Sequence, residues 1–200
     1  STLLLMERLR DHISRFVTLT DAEWTVVRKK MTLIEARKRD VVLVNKENIC
    51  DKHFFVLRGC LRAYEFNMRG EEYNLAFAVE NDWITDLGAF LNVTPGNYVV
   101  DSMEDSYVLS LEKENYDIII SDMPKMERYF RLLVQNSYLE LQKRVLFDIS
   151  MGAEERYINF LDNYPLLERR IPQYHIASYL GITPESLSRI RRKILGISKI

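Results

Sequence analysis

Near its C-terminal end the chain reads Thr183-Pro-Glu-Ser-Leu-Ser-Arg-Ile-Arg-Arg-Lys193, a helix-length segment whose outer face carries Ser188, Arg189, Arg192 and Lys193. A guanidinium can donate two parallel hydrogen bonds to guanine O6 and N7, and a carboxylate can accept from cytosine N4. Cations and hydroxyls can also hold phosphates, which position a protein without specifying sequence. The chemistry open to this face is therefore recognition of double-stranded DNA. Arg189 is the expected base reader and Glu185 a second one. Arg191, Arg192 and Lys193 are expected on phosphates, with Thr183, Ser186 and Ser188 completing the set.

Such a face must be held by a second helix. The preceding residues, from Gln173, supply what two steeply crossing helices need. Ala177 is small where the helices crowd. Gly181 accepts positive φ in the turn. Ile176, Leu180, Ile182, Leu187 and Ile190 form the shared apolar face, Thr183 is a natural N-cap, and Pro184 suits the first helical position. An ordinary helical hairpin would be equally apolar inside. Charge counts against it: Leu166 to Ile200 holds seven bases and two acids, leaving 21 bases and 27 acids upstream. An acidic body with a basic end predicts a polyanion partner for that end alone.

Upstream, Met123-Pro124 opens the longest periodic stretch. Met126, Phe130, Leu133, Ser137, Leu141 and Val145 recur every three or four residues towards Ile149. A helix of roughly 35 Å, at about 1.5 Å per residue, outruns what a small domain covers. Its stripe is expected to meet a second copy of itself; the alternative is packing wholly on its own domain. Gly152 ends the pattern, and a new helix is expected from Ala153 to Tyr164, before Pro165.

Short β-rich runs occupy the middle of the chain: Val41–Val44, His53–Leu57, Leu61–Phe66, Tyr73–Val79, Tyr98–Val100 and Tyr107–Leu111. Turn signals at Asn45–Asn48, Arg58-Gly59, Arg69-Gly70 and Pro95-Gly96-Asn97 separate them. Many short strands at regular spacing predict a jelly roll or related β-roll. Amphipathic helices are expected over Met6–Phe16 and Asp21–Met31, the second with the capping box Thr20-x-x-Glu23.

The stretches HFFVLRGCLRAYEF, GEEYNLAFAVENDWITDLGAFL, EERYINFLDNYP and IPQYHIASYLGITPESLSRIRRKI resemble the Crp/Fnr family of regulators over nearly the whole chain. The resemblance implies a cyclic-nucleotide-binding-like β-roll, a long dimerisation helix and a C-terminal helix-turn-helix. Glu185 and Arg189 fall on the family's base-contacting positions; Pro184 stands where its best-known members carry arginine, so the preferred DNA sequence should differ. The chain stops soon after Ile194, which reads as a variant without the β-wing.

In the sensor the resemblance breaks. Cyclic-nucleotide binders of this fold share an acidic residue for the ribose and an Arg-Ser/Thr-Ala for the phosphate. Asp86-Leu87-Gly88 matches the acidic part, but Gly96-Asn97-Tyr98 stands where arginine should. Between Gly70 and Glu112 there is no Lys or Arg, against nine acids. A buried phosphate without a cation is penalised by several kcal/mol. An effector pocket, if kept, would involve Trp83, Asp86, Leu87, Gly88, Asn97 and Tyr98. Leu141 and Gln142 fall about where the long helix would supply hydroxyls to adenine.

Weaker constellations carry less. Cys50-x-x-His53 offers two ligands, too few for a metal site. Cys50 and Cys60 make no disulfide framework and are too few for an iron–sulfur cluster held by cysteines alone. The aromatics Tyr64, Phe66, Tyr73, Phe77, Trp83 and Phe90 read as core rather than pocket. A cupin-like enzyme would need several metal-ligating His or Glu in the roll, which offers only His53.

The expected architecture is α+β. Residues 1–123 form a double-stranded β-helix or jelly-roll sensor with flanking helices, 124–150 a dimerisation helix, and 151–200 an all-α helix-turn-helix domain. The expected function is a dimeric, DNA-binding transcription regulator whose effector is not cyclic AMP; the alternative is a cyclic-nucleotide-responsive regulator with non-standard contacts. No catalysis, cofactor or metal is expected. The expected partners are an inverted-repeat operator, a second copy of the chain, RNA polymerase, and an unknown small-molecule effector or none. Without a membrane-length apolar stretch or signal sequence, the expected location is the cytoplasm.

Overall fold

A computed structural model describes residues 2–43 and 48–196. The expected turn at Asn45–Asn48 falls mostly outside these residues, as do Val44, Lys199 and the stretch after Gly196 where a wing was judged absent. The described residues form two compact units. One runs up to Glu65 and resumes over Ala76–Asn136. The other comprises Phe66–Leu75 and the chain from Ser137 onward.

The first unit is an α+β roll. Two helices, α1 (Thr2–Ser14) and α2 (Asp21–Lys29), precede the strands. The α2 capping box forms: Glu23 N–H donates to Thr20 Oγ1, and Thr20 N–H donates to the Glu23 carboxylate. The strands are β1 (Met31–Ala36), β2 (Val41–Leu43), β3 (Lys52–Arg58), β4 (Leu61–Phe66), β5 (Glu72–Ala78), β6 (Trp83–Ile84), β7 (Val99–Ser102) and β8 (Ser106–Glu112). They make two four-stranded sheets, ordered β1-β8-β3-β6 and β2-β7-β4-β5. A short helix, α3 (Leu87–Asn92), lies between β6 and β7, and α4 (Lys113–Asp122) follows β8.

The continuous apolar run of β3 is explained by burial on both faces. Phe54 and Val56 join Leu61, Ala63, Ile84, Phe90, Val100 and Val108 inside the roll. Phe55 and Leu57 join Leu9, Ile13, Trp24, Val27, Leu109, Leu111, Ile119 and Tyr129 in a second core, built with the helices. Strands β1 and β6 were not expected. Met31-Thr-Leu-Ile-Glu-Ala36 has no local strand signal; it extends because β8 pairs it residue for residue, from Met31↔Leu111 to Ala36↔Ser106.

Gly59 turns β3 into β4 with φ +109°. A Cβ there would lie 2.1 Å from Ser106 Oγ, so only glycine fits.

The long helix α5 (Pro124–Ser150) runs through both units. Beyond it come α6 (Ala153–Asn163), a 3₁₀ turn at Leu167–Arg169, α7 (Gln173–Leu180) and α8 (Pro184–Leu195).

Candidate functional site

The α7–α8 pair forms as its local signals require. Gly181 ends α7 in the left-handed region, φ 67°. Thr183 caps α8, accepting from Ser186 N–H at 3.2 Å, with Pro184 at the helix start. Ile176, Ala177, Leu180 and Leu187 are buried between the helices, together with Tyr157, Phe160 and Leu167 from the preceding segments. That core leaves the opposite face of α8 uncovered. Pro184, Glu185, Ser188, Arg189 and Arg192 line one shallow depression.

Local contacts preset this face. Arg189 donates to Ser186 Oγ at 3.0 Å, which itself receives Thr183 Oγ1–H at 3.0 Å. Lys193 is exposed and pairs with Glu154 at 2.7 Å, a surface contact easily exchanged for phosphate. The Arg191 guanidinium donates to Glu168 Oε1 at 2.7 Å, and Tyr157 OH donates to the same oxygen. This pair is half-buried and raises the Arg191 pKa further, against the opposing effect of burial. Arg191 is thus engaged with Glu168 inside the helical unit.

The expected effector residues come together but satisfy one another. Asp86 is 4% exposed and N-caps α3, Oδ1 accepting from Ala89 N–H at 3.2 Å. Its Oδ2 accepts twice from Asn97, at 2.6 Å from the main chain and 3.0 Å from the carboxamide. Asn97 thus occupies the carboxylate that a ribose would need. Tyr98 OH donates to Thr85 O at 2.9 Å, and burial pushes its pKa up. Leu87 is half-buried against the roll core, and a Cβ at Gly88 would make ordinary contact with Asp86 Oδ1, at 4.0 Å. Trp83 is partly buried against the helix-side core, and its Nε1–H donates to Tyr129 OH at 2.9 Å.

Cys50 is buried, with Sγ 3.4 Å from Thr85 Oγ1, and burial pushes its thiol pKa up, which opposes thiolate reactivity. His53 sits against Trp83, Phe90 and Phe130. Among the described residues no group of three or more His, Cys, Asp or Glu could hold a metal.

The expected dimer stripe divides along α5. Met126 is 0% and Phe130 3% exposed, both inside the first unit, and Leu133 packs partly on the same core. Met126 and Phe130 are corrected: they have no surface left for a partner. Ser137, Leu141 and Val145 are exposed. The open apolar row on this helix is Val134, Tyr138, Leu141, Val145 and Ile149, with Leu141 57% and Ile149 80% exposed.

Known regulators are similar to this chain in sequence and in fold. The chain is 24% identical over 184 residues to the anaerobic regulatory protein of Pasteurella multocida, covering 84% of this chain and 67% of that one. It is 24% identical over 184 residues to the regulatory protein HlyX of Actinobacillus pleuropneumoniae, covering 86% and 73%. Its fold matches FixK2 from Bradyrhizobium japonicum with a TM-score of 0.70 at 18% identity, over 85% of this chain and 88% of that one. It also matches a transcriptional regulator of the Crp/Fnr family from Eubacterium rectale, with a TM-score of 0.69 at 17% identity over 91% and 87%. In sequence and fold the chain is similar to regulators of the Crp/Fnr type. No family model matches it. The roll, the long helix α5 and the α7–α8 pair are the parts that the resemblance implied. The Asn97 clamp on Asp86 and the Glu168 contact of Arg191 are features that resemblance did not foretell. Among the described residues no helix is long and apolar enough to cross a membrane.

Proposed function

We propose that this chain is a dimeric transcription regulator of the Crp/Fnr type that reads an inverted-repeat DNA operator and does not use cyclic AMP as its effector. One observation carries the reading: α8 buries its apolar face and leaves Glu185, Ser188, Arg189 and Arg192 open along one side. In a helix-turn-helix the second helix enters the major groove and its N-terminal half meets base edges. Arg189 reads a base, Glu185 a second, and Arg192 and Lys193 hold phosphates. Residues 1–123 serve as sensor, 124–150 as dimer helix and 151–200 as reader. RNA polymerase is the further partner. The chain acts by binding rather than catalysis, in the cytoplasm where its operator lies.

Two α8 helices in successive major grooves require half-sites roughly 34 Å apart. Arg189→Ala is expected to cost about 1–3 kcal/mol on a selected operator and to relax preference at one base pair per half-site. Lys193→Ala should weaken operator and scrambled duplex alike and flatten the salt dependence. Titration of both duplexes at two salt concentrations checks this. Equal losses on both duplexes for Arg189→Ala would make it a phosphate clamp. Cyclic AMP should leave every curve in place, because Asp86 is already saturated by Asn97 and no cation lies between Gly70 and Glu112. A shift at micromolar cyclic AMP would restore the cyclic-nucleotide-responsive alternative.

The dimer seam is Val134, Tyr138, Leu141, Val145 and Ile149, spaced by three and four residues as a two-stranded coiled coil requires. Leu141→Glu would bury a carboxylate from each copy without a cation, which costs several kcal/mol and should weaken self-association by about 100-fold or more. Analytical ultracentrifugation reads this directly. A Leu141→Glu protein that sediments like wild type would move the seam elsewhere.

A further inference from the structure

The tip of the β4–β5 hairpin, Phe66–Leu75, belongs to the same compact unit as the helix-turn-helix. Asn74, 3% exposed, is the centre of the contact. Its carboxamide donates to His175 O at 2.9 Å and lies 3.1 Å from His175 Nδ1. Since the carboxamide nitrogen can only donate, Nδ1 accepts, which places the histidine proton on Nε2. Asn74 N–H donates to Ser178 Oγ at 3.1 Å, and Ser178 Oγ–H donates onward to Glu72 O at 3.0 Å. Arg144 of α5 closes the set. Its guanidinium donates to Leu75 O and to Tyr179 O, and lies 4.1 Å above the Tyr179 ring.

These bonds fall on α7, the helix that positions α8 through Ile176, Ala177 and Leu180. None falls on Glu185, Ser188, Arg189 or Arg192. A contact that blocked DNA would cover that face, and this one leaves it open. We infer that the hairpin tip is a positioning clasp for the DNA reader, with Asn74 and Arg144 as its positioning residues; this rests on the DNA-binding dimer proposed above. Two readers must meet successive grooves at a fixed spacing. Freedom already removed by the clasp need not be frozen again on binding.

The test uses the full chain and four proteins: wild type, Asn74→Ala, the isosteric Asn74→Asp, and Arg144→Lys. Asn74→Asp keeps size and removes the carboxamide donors. Each is titrated against a two-half-site operator and a duplex with one half-site, at two salt concentrations. Hydrogen exchange is followed in residues 66–75 and 173–180. The clasp predicts that both Asn74 variants lose about 10-fold on the full operator. It predicts near-wild-type binding to the single half-site and parallel salt slopes, since no phosphate contact is removed. Exchange in both segments should quicken, and Arg144→Lys should show the same pattern more weakly. Equal losses on both duplexes would mean a damaged reader and overturn the positioning role. Wild-type affinity with unchanged exchange in Asn74→Asp would overturn the clasp itself. Should wild type bind no duplex, the DNA reading falls, and the exchange rates alone decide whether the hairpin holds α7.

Discussion

Lowering the pH from about 7 to about 5 is expected to cost this protein folding stability through two buried histidines, partly offset by Asp82, whose carboxyl pKa burial pushes up to about 6. His53 lies on β3 with its ring 4.6 Å from Trp83 and 5.4 Å from Phe90, and its Nδ1 has no hydrogen-bond partner among the described residues. Burial pushes its pKa down from 6.5 to about 3. His12 ends a polar chain. Trp83 Nε1 can only donate, so Tyr129 OH accepts from it at 2.9 Å and gives its own proton to His12 Nδ1 at 2.7 Å. Protonating Nδ1 would leave that hydroxyl proton without an acceptor. Burial, helped by Arg15, pushes the His12 pKa to about 4.

Both folded pKa values lie below the unfolded one. The unfolded chain therefore takes up protons first, and stability falls as pH drops from 6.5 towards 3–4; above 6.5 the contribution is complete. At about pH 5 His53 accounts for about 2 kcal/mol, against a total of about 5–15 kcal/mol for a typical domain, and His12, which is more screened by solvent, for less. Urea unfolding of wild type and His53→Phe at several pH values checks this. The variant should lose clearly less stability on acidification than wild type. An identical pH dependence in the two proteins would show that His53 does not stay neutral in the native state.

Gly59→Ala is expected to destabilise the fold by about 4 kcal/mol, the sum of positive-φ strain and overpacking, each about 1–3 kcal/mol. At φ +109° the new methyl would stand 2.1 Å from Ser106 Oγ and 2.7 Å from Ser106 Cα. Ser106 cannot easily retreat. Its hydroxyl accepts from Cys60 N–H and donates to Glu104 O, and β8 holds its backbone against Ala36. Gly152→Ala is the control, since its Cβ would meet nothing within 4 Å and its φ of −71° suits any residue. Denaturant unfolding at neutral pH should place Gly59→Ala far below wild type and Gly152→Ala near it. A loss under about 1 kcal/mol at Gly59 would mean that the β3–β4 turn relaxes more freely than its packing implies.

The amino-acid sequence by itself determined the features whose causes lie within a turn or two of chain. Thr183, Pro184 and Gly181 set the start of α8 and the end of α7 through caps and dihedral limits that need no distant partner. The Thr20–Glu23 box did the same for α2. The β-roll was legible because β3 is apolar on both faces and turn residues punctuate the strands. The missing phosphate cation was legible because a composition gap of this length leaves none for any local loop to supply.

Only the tertiary structure decided what depends on residues far apart in sequence. Met31–Ala36 is a strand because β8, some 75 residues on, offers it a ladder (Met31↔Leu111 to Ala36↔Ser106). The three-four spacing on α5 marks an apolar face but cannot say what covers it. The roll's own helices cover Met126 and Phe130, whereas Leu141 and Val145 stay open. Arg191 carries the same charge as Arg192, and only folding sets it against Glu168, 23 residues away. Asp86 matches an acidic ligand position, and only folding brings Asn97 onto its carboxylate. Asn74 meets His175 across 101 residues. Closing a loop of that length costs entropy that no local pattern records, and many other residues bonded alone could not repay it. Such contacts form once the surrounding core has already brought their segments together.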